Sequence, residues 1–121
     1  MNANYVIDWL KNFKQKNNVK GVVLGLSGGK DSTTVAMLAK KVWGDNVVAV
    51  LMPNGVQKDI SDSLDIANIL GLNYKIINID EAFNYIADKT DATEKSKTNI
   101  APRLRMTVLY AIAQNLLYLV I

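Results

Sequence analysis

The spacing of apolar residues along this chain changes several times, and each change marks an element. Val6, Leu10 and Phe13 recur at helical spacing behind Asn2 and Asn4, either of which can cap, and predict a first helix to about Lys16. Gly21-Val-Val-Leu-Gly-Leu26 is a short, β-rich apolar run, the pattern of a strand buried on both faces. Val35, Leu38 and Val42 give residues 33–43 a helical face, and residues 47–52 read as a second buried strand. After a turn at Pro53-Asn-Gly55, residues 59–70 form an amphipathic helix through Ile60, Leu64 and Ala67, closed by Gly71. Residues 74–79 read as a third strand, and Asp80 is placed to cap a short helix over 81–88. Residues 89–98 hold no apolar side chain except Ala92 and are expected to form a mobile loop. A long helix over 99–116 and a fourth strand over 117–121 complete the pattern. Strands alternating with helices predict an α/β, doubly wound, Rossmann-like parallel sheet with helices on both faces.

Composition narrows the chemistry. At 121 residues the chain has room for one domain, and 50% hydrophobic content with two prolines argues for a packed core over disorder. A net charge of +3 is too mild to suggest nucleic-acid binding by itself. The absence of cysteine removes disulfides, thiolate metal sites and thiol nucleophiles. The absence of histidine removes catalytic triads and imidazole zinc ligands. What remains is backbone amides, Lys, Arg, carboxylates, hydroxyls and a hard metal ion, a set suited to phosphate. The start of the chain contains Asp8 and has no basic stretch leading into an apolar run, so no signal peptide is read there. Residues 104–121 are apolar enough to consider a membrane span, but Arg105, Gln114 and Asn115 interrupt them and favour burial in protein. No membrane partner is expected, and the cytoplasm is the default compartment.

The candidate chemistry lies in Gly25-Leu-Ser-Gly-Gly-Lys-Asp-Ser32, between the first strand and a helix. A Gly-rich strand-to-helix turn presents unpaired N–H groups and the positive end of the helix dipole to an anion. It is not a Walker A loop, because Leu24 stands where that motif needs Gly and Asp31 where it needs Ser or Thr. It is not the dinucleotide fingerprint either, since Ser27 stands two positions after Gly25 where a second Gly is required. An ordinary Gly-rich turn would not need two serines and an acid as well. A carboxylate beside a polyphosphate repels it unless a cation lies between, which makes Asp31 a candidate Mg²⁺ ligand.

Ser27-Gly-Gly-Lys-Asp-Ser32 resembles the SGGxDS loop of the PP-loop ATP pyrophosphatases, the adenine nucleotide alpha-hydrolase-like superfamily, whose members cleave ATP between the α and β phosphates. Two further segments are similar to one member family, the ammonia-dependent NAD synthetases. One is Met52-Pro-Asn-Gly-Val-Gln57 with Asp59 just beyond it, and the other is Asn99-Ile-Ala-Pro-Arg-Leu-Arg-Met106 with its Asn-x-x-x-Arg-x-Arg-Met pattern. Pro102 stands where relatives commonly have Ala, and Leu51 where some place an arginine near the adenine.

The resemblance implies a ligase. It would activate deamido-NAD with ATP to an adenylated intermediate, release pyrophosphate, and let ammonia displace AMP to leave NAD. It implies ATP contacts at Gly25, Leu26, Ser27, Gly28, Gly29, Lys30, Asp31, Ser32 and Gln57, Mg²⁺ at Asp31, and deamido-NAD at Arg103. It implies a homodimer, for which two apolar stripes on the long helix offer a seam: Leu104, Val108 and Ala111, and Met106, Leu109, Ala113 and Leu116. Without cysteine, the glutaminase chemistry of glutamine-dependent relatives is not expected, and the chain is expected to use free ammonia or to borrow it from a partner. The strand-one-to-strand-four neighbourhood expected for this fold directs the phosphate loop toward the region beyond Ile121. Residues 1–121 therefore read as a single PP-loop ATP-binding domain truncated at its C-terminal side, expected to bind nucleotide without making NAD alone. Two other readings stay open: a tRNA-modifying PP-loop enzyme of the lysidine synthetase or thiolase type, and a nucleotide-binding module without turnover.

Overall fold

In the computed structural model, which describes residues 3–55 and 60–121, the chain runs α1 (Ala3–Asn17), β1 (Val22–Gly25), α2 (Lys30–Trp43), β2 (Val47–Leu51), α3 (Ile60–Ile69), β3 (Asn73–Ile76), α4 (Asp80–Lys89), α5 (Glu94–Leu116) and β4 (Leu119–Val120). The strands form one parallel sheet in the order β3-β2-β1-β4. β1 is therefore central, with Val22 opposite Val47 on one side and Leu119 on the other. The doubly wound α/β expectation holds, and so does the pairing of the first and fourth strands.

The strands are apolar throughout because alternate residues feed two different cores. Val22, Leu24, Val47, Ala49 and Leu51 join Ala36, Ala39, Val42 and Trp43 of α2 and Ala67 of α3, with Ile7 and Leu10 of α1 packed against them. Val23 and Val50 point the other way, onto Leu109, Ile112 and Ala113 of α5. The indole N–H of Trp43 donates to the Val19 carbonyl at 2.9 Å, so burial of that ring leaves its donor satisfied.

Several boundaries depart from the expectation. α5 begins at Glu94, so most of the expected loop over 89–98 is helix, and the link from α4 is only residues 90–93. Thr93 caps it, its Oγ1 accepting the Ser96 N–H at 3.1 Å. That turn lacks apolar residues because it faces solvent, and hydrophobic spacing reports burial, not helicity. Pro102 consequently lies inside the helix, and the Thr98 carbonyl loses its N–H donor. Asp80 is not the cap of α4. It is the first helical residue, its own N–H bound by Asn78 Oδ1 at 3.0 Å.

α2 starts three residues earlier than its apolar spacing indicates, at Lys30, directly on the glycine loop. β3 ends at Ile76, and β4 is two residues long because Leu117 adopts the left-handed conformation (φ 57°) that closes α5. On α5 only Leu109, Ile112 and Ala113 are buried. Met106 and Leu116, which share a stripe with Leu109 and Ala113, are exposed, because a helix of 23 residues outruns strands of four or five. No helix among the described residues is long and apolar enough to cross a membrane.

Candidate functional site

β1 ends at Gly25, and Leu26 continues it by one bond, its N–H donating to the Val50 carbonyl at 3.0 Å. The chain then turns through Ser27, Gly28 and Gly29 into α2. Gly28 sits at φ +83°, a conformation side chains rarely adopt, and a Cβ there would lie 3.2 Å from Ser63 Oγ. The loop is held by its own hydroxyls. Ser27 Oγ and Ser32 Oγ lie 3.0 Å apart, Ser32 Oγ accepts the Ser27 N–H at 3.3 Å, and Ser27 Oγ accepts the Gly29 N–H at 3.3 Å. Thr33 Oγ1 donates to the Gly29 carbonyl at 2.8 Å. The two serines expected as ligand donors thus first shape the turn.

α2 opens on Gly29 with no side-chain cap, so its first N–H groups point out of the helix end without an acceptor inside it. Lys30 and Asp31 are exposed there. Asp31 makes no ion pair among the described residues, and no cluster of three or more Asp, Glu, His or Cys able to hold a metal occurs among them. One carboxylate beside an anion site fits a hard cation whose other ligands come from bound phosphate.

Beyond the carboxyl ends of β1 and β2 lies a cavity of about 320 Å³, the place where open α/β sheets bind ligands. Gly25, Leu26 and Ser27 line it from the loop side, and Val50, Leu51, Met52 and Pro53 from β2 and the turn after it. Ile60 and Ser63 of α3 and Arg105 of α5 complete it. The cavity joins an apolar wall at Val50, Leu51, Met52 and Pro53 to polar groups from Ser27, Ser63 and Arg105.

Arg105 Nε donates to the Met52 carbonyl at 3.0 Å. The resemblance singled out Arg103 instead, and Arg103 lies elsewhere. It lines a shallow concavity between α4 and α5 with Ile86, Asn99, Ile100, Leu104 and Thr107, and Nη1 donates to the Asn99 carbonyl at 3.3 Å and Asn99 Oδ1 at 3.1 Å. Two positions along a helix turn a side chain by about 200°. Gln57 lies outside the described residues. Ser63 and Arg105 are the polar groups that sequence reading missed. Arg105 stood within the Arg-x-Arg motif, whereas nothing in local sequence marked Ser63.

Comparison with known proteins gives a consistent family. The NAD synthase family model matches residues 2–121. The NH(3)-dependent NAD(+) synthetase of Thermococcus sibiricus is 40% identical over 119 residues, covering 96% of this chain and 47% of that protein. Its counterpart in Mycoplasmopsis pulmonis is 43% identical over 122 residues, covering 97% and 47%. Among solved structures, the NH3-dependent NAD synthetase of Campylobacter jejuni in complex with the nitrate ion matches with a TM-score of 0.91 at 35% identity, over 98% of this chain and 53% of that one. NMN synthetase from Francisella tularensis matches at 0.86 and 32%, over 98% and 51%. The chain spans about half the length of the relatives it matches. A match across residues 2–121, on a sheet with the phosphate-type loop at its central strand, establishes that the chain belongs to the NAD synthase family.

Proposed function

We propose that this chain is the ATP-binding part of an ammonia-dependent NAD synthetase, acting as one domain over residues 1–121 and as a homodimer. The observation that carries the reading is the loop Gly25–Ser32 at the mouth of the cavity, with the N-terminus of α2 behind it. In the proposed reaction the nicotinate carboxylate of deamido-NAD attacks the α-phosphorus of ATP and pyrophosphate leaves. Ammonia then adds to the activated carbonyl, AMP departs, and the amide of NAD remains.

The protein's contribution to such a transfer is to position reactants and to stabilise developing charge. The amides of Gly28, Gly29 and the first turn of α2 would hold phosphate oxygens, with Lys30 adding positive charge. Asp31 would hold Mg²⁺, which would supply positive charge to offset that on the leaving pyrophosphate. The apolar wall of Val50, Leu51, Met52 and Pro53 suits the adenine. Arg103, exposed on α5 with a planar fork of donors, suits a phosphate or carboxylate of deamido-NAD. For the dimer the support is the apolar side chains that α5 leaves exposed, Met106 with Tyr110 one turn on and Leu116 at the helix end.

The test measures Mg·ATP binding by calorimetry, and pyrophosphate and NAD formed from ATP, Mg²⁺, ammonia and deamido-NAD. Nicotinate mononucleotide and tRNA serve as competing acceptors. Mg·ATP binding by this chain supports the nucleotide-binding reading, and NAD formed from deamido-NAD would support the reaction while overturning the expectation that these 121 residues do not make NAD alone. Preference for the mononucleotide would shift the acceptor toward that of the Francisella neighbour. Pyrophosphate release that requires tRNA, or failure to bind Mg·ATP, would overturn it.

A further inference from the structure

Most hydroxyls on the described helices donate to a carbonyl three or four residues back: Thr33 to Gly29, Thr34 to Lys30 and Thr107 to Arg103 at 2.8–3.0 Å, and Ser32 to Gly29, Ser96 to Thr93 and Thr98 to Lys95 at 2.6–3.2 Å. Ser63 has no such partner among the described residues. It is 4% exposed, on the first turn and a half of α3, and its Oγ has no hydrogen-bond partner among the described residues. No fully enclosed side-chain polar atom lacks a partner among those residues, so this oxygen keeps its opening to the cavity. A hydroxyl in a cavity wall with no protein partner is available to pair with a molecule that binds there.

Its position narrows what that is. The hydroxyl lines the cavity, and it lies 3.2 Å from the point where a side chain on Gly28 would begin. It therefore sits on the seam between the phosphate loop and the apolar wall of Val50, Leu51, Met52 and Pro53. A nucleotide laid across this site has its phosphates on the loop and its base on the wall, which leaves the sugar at the seam. A ribose hydroxyl both donates and accepts, as a serine hydroxyl does.

We propose that Ser63 is a ribose-recognising residue, whose hydroxyl pairs with a ribose hydroxyl of the bound nucleotide. The proposal rests on the nucleotide-binding part of the reading above and goes beyond it by assigning the sugar contact to α3.

The experiment titrates ATP, 2′-deoxy-ATP and 3′-deoxy-ATP, each with Mg²⁺, into the chain and into Ser63→Ala, with thermal melts to verify the fold. Alanine suits a helix, so the variant should fold. The unaltered chain is expected to bind one of the two deoxy analogues about two- to tenfold more weakly than ATP, as for loss of one neutral hydrogen bond. Ser63→Ala should lose about the same factor for ATP and bind that analogue and ATP alike. Ser63→Cys, which keeps the shape and weakens the bond, should fall between. Retained discrimination in Ser63→Ala overturns the proposal, as does an unaltered chain that does not discriminate. An equal loss for all three nucleotides would move the contact to base or phosphate and also overturn it. ATP binding with an unaffected Ser63→Ala removes Ser63 alone, whereas no nucleotide binding by the unaltered chain removes the nucleotide reading with it.

Discussion

Arg105 reaches across 3.0 Å to donate its Nε–H to the carbonyl of Met52, a residue 53 positions earlier in the chain. That bond fastens the middle of α5 to the point where the chain leaves β2, at the cavity wall. Arg103, two residues before, donates only to Asn99 on its own helix and stays exposed. One arginine of the pair fastens α5 to the end of β2, and the other bonds only within its own helix, at the surface.

Replacing Arg105 by Gln should therefore lower stability by about 1.5–3 kcal/mol, the worth of a hydrogen bond from a charged donor, and weaken ATP binding as the Met52 wall loosens. Arg105→Lys should recover little, since an ammonium cannot reproduce the planar Nε–H geometry. The same changes at Arg103 should leave the urea midpoint nearly unmoved. Equal effects on stability at the two positions would contradict the division of roles.

Gly28→Ala should cost about 1–2 kcal/mol of stability for its positive φ. It should also weaken Mg·ATP binding, because the new Cβ presses on Ser63 Oγ at the seam of the site. Calorimetry on the purified variant, alongside its melting curve, separates the two effects. Unchanged affinity would mean that the loop does not hold the nucleotide.

Asp31→Asn should weaken Mg·ATP binding more than AMP binding, since a carboxylate acting through a cation matters most where several phosphates share that cation. Parallel titrations with the two nucleotides decide it. Similar losses for both would take Asp31 out of the metal role.

The range of each interaction decided whether the sequence could reveal it. β1 and β2 were legible because both faces of each strand are buried, which writes a continuous apolar run into residues 22–24 and 47–51. The loop was legible because its glycines, serines and acid are contiguous. The start of α5 was not, since Thr93, Glu94, Lys95 and Ser96 form an exposed turn whose only signal is the threonine cap. Ser63 and the Arg105–Met52 bond were illegible for a different reason. Each depends on residues brought together by the crossovers, α3 against the loop and α5 against the end of β2, and local spacing carries no record of that.

Gly21→Ala should be among the most damaging single changes. A Cβ there would lie 2.6 Å from the backbone carbonyl of Asn46 and would enter the Tyr118 ring. The carbonyl belongs to the start of β2 and cannot yield without moving the sheet. A loss of about 3 kcal/mol or more is expected in urea unfolding, at the upper end of overpacking effects. A near-neutral result would show that Tyr118 and the β2 entry have room to move.

If the exposed apolar residues of α5 pair two chains, Tyr110→Glu combined with Met106→Glu should convert a dimer to a monomer by light scattering without loss of helical circular dichroism. Both side chains are exposed, so the fold should tolerate the charges. A monomer before any substitution would rule out the pairing.

The division of β1 between two cores also sets where this lineage can vary in length. Val22 and Leu24 serve one core and Val23 the other, and none has a solvent-facing neighbour to trade with. Inserting or deleting a single residue there would send every later side chain of the strand into the wrong core and turn the glycine loop away from the cavity. A change in chain length is therefore expected to be tolerated in connections such as residues 90–93 and not between Gly21 and Ser32.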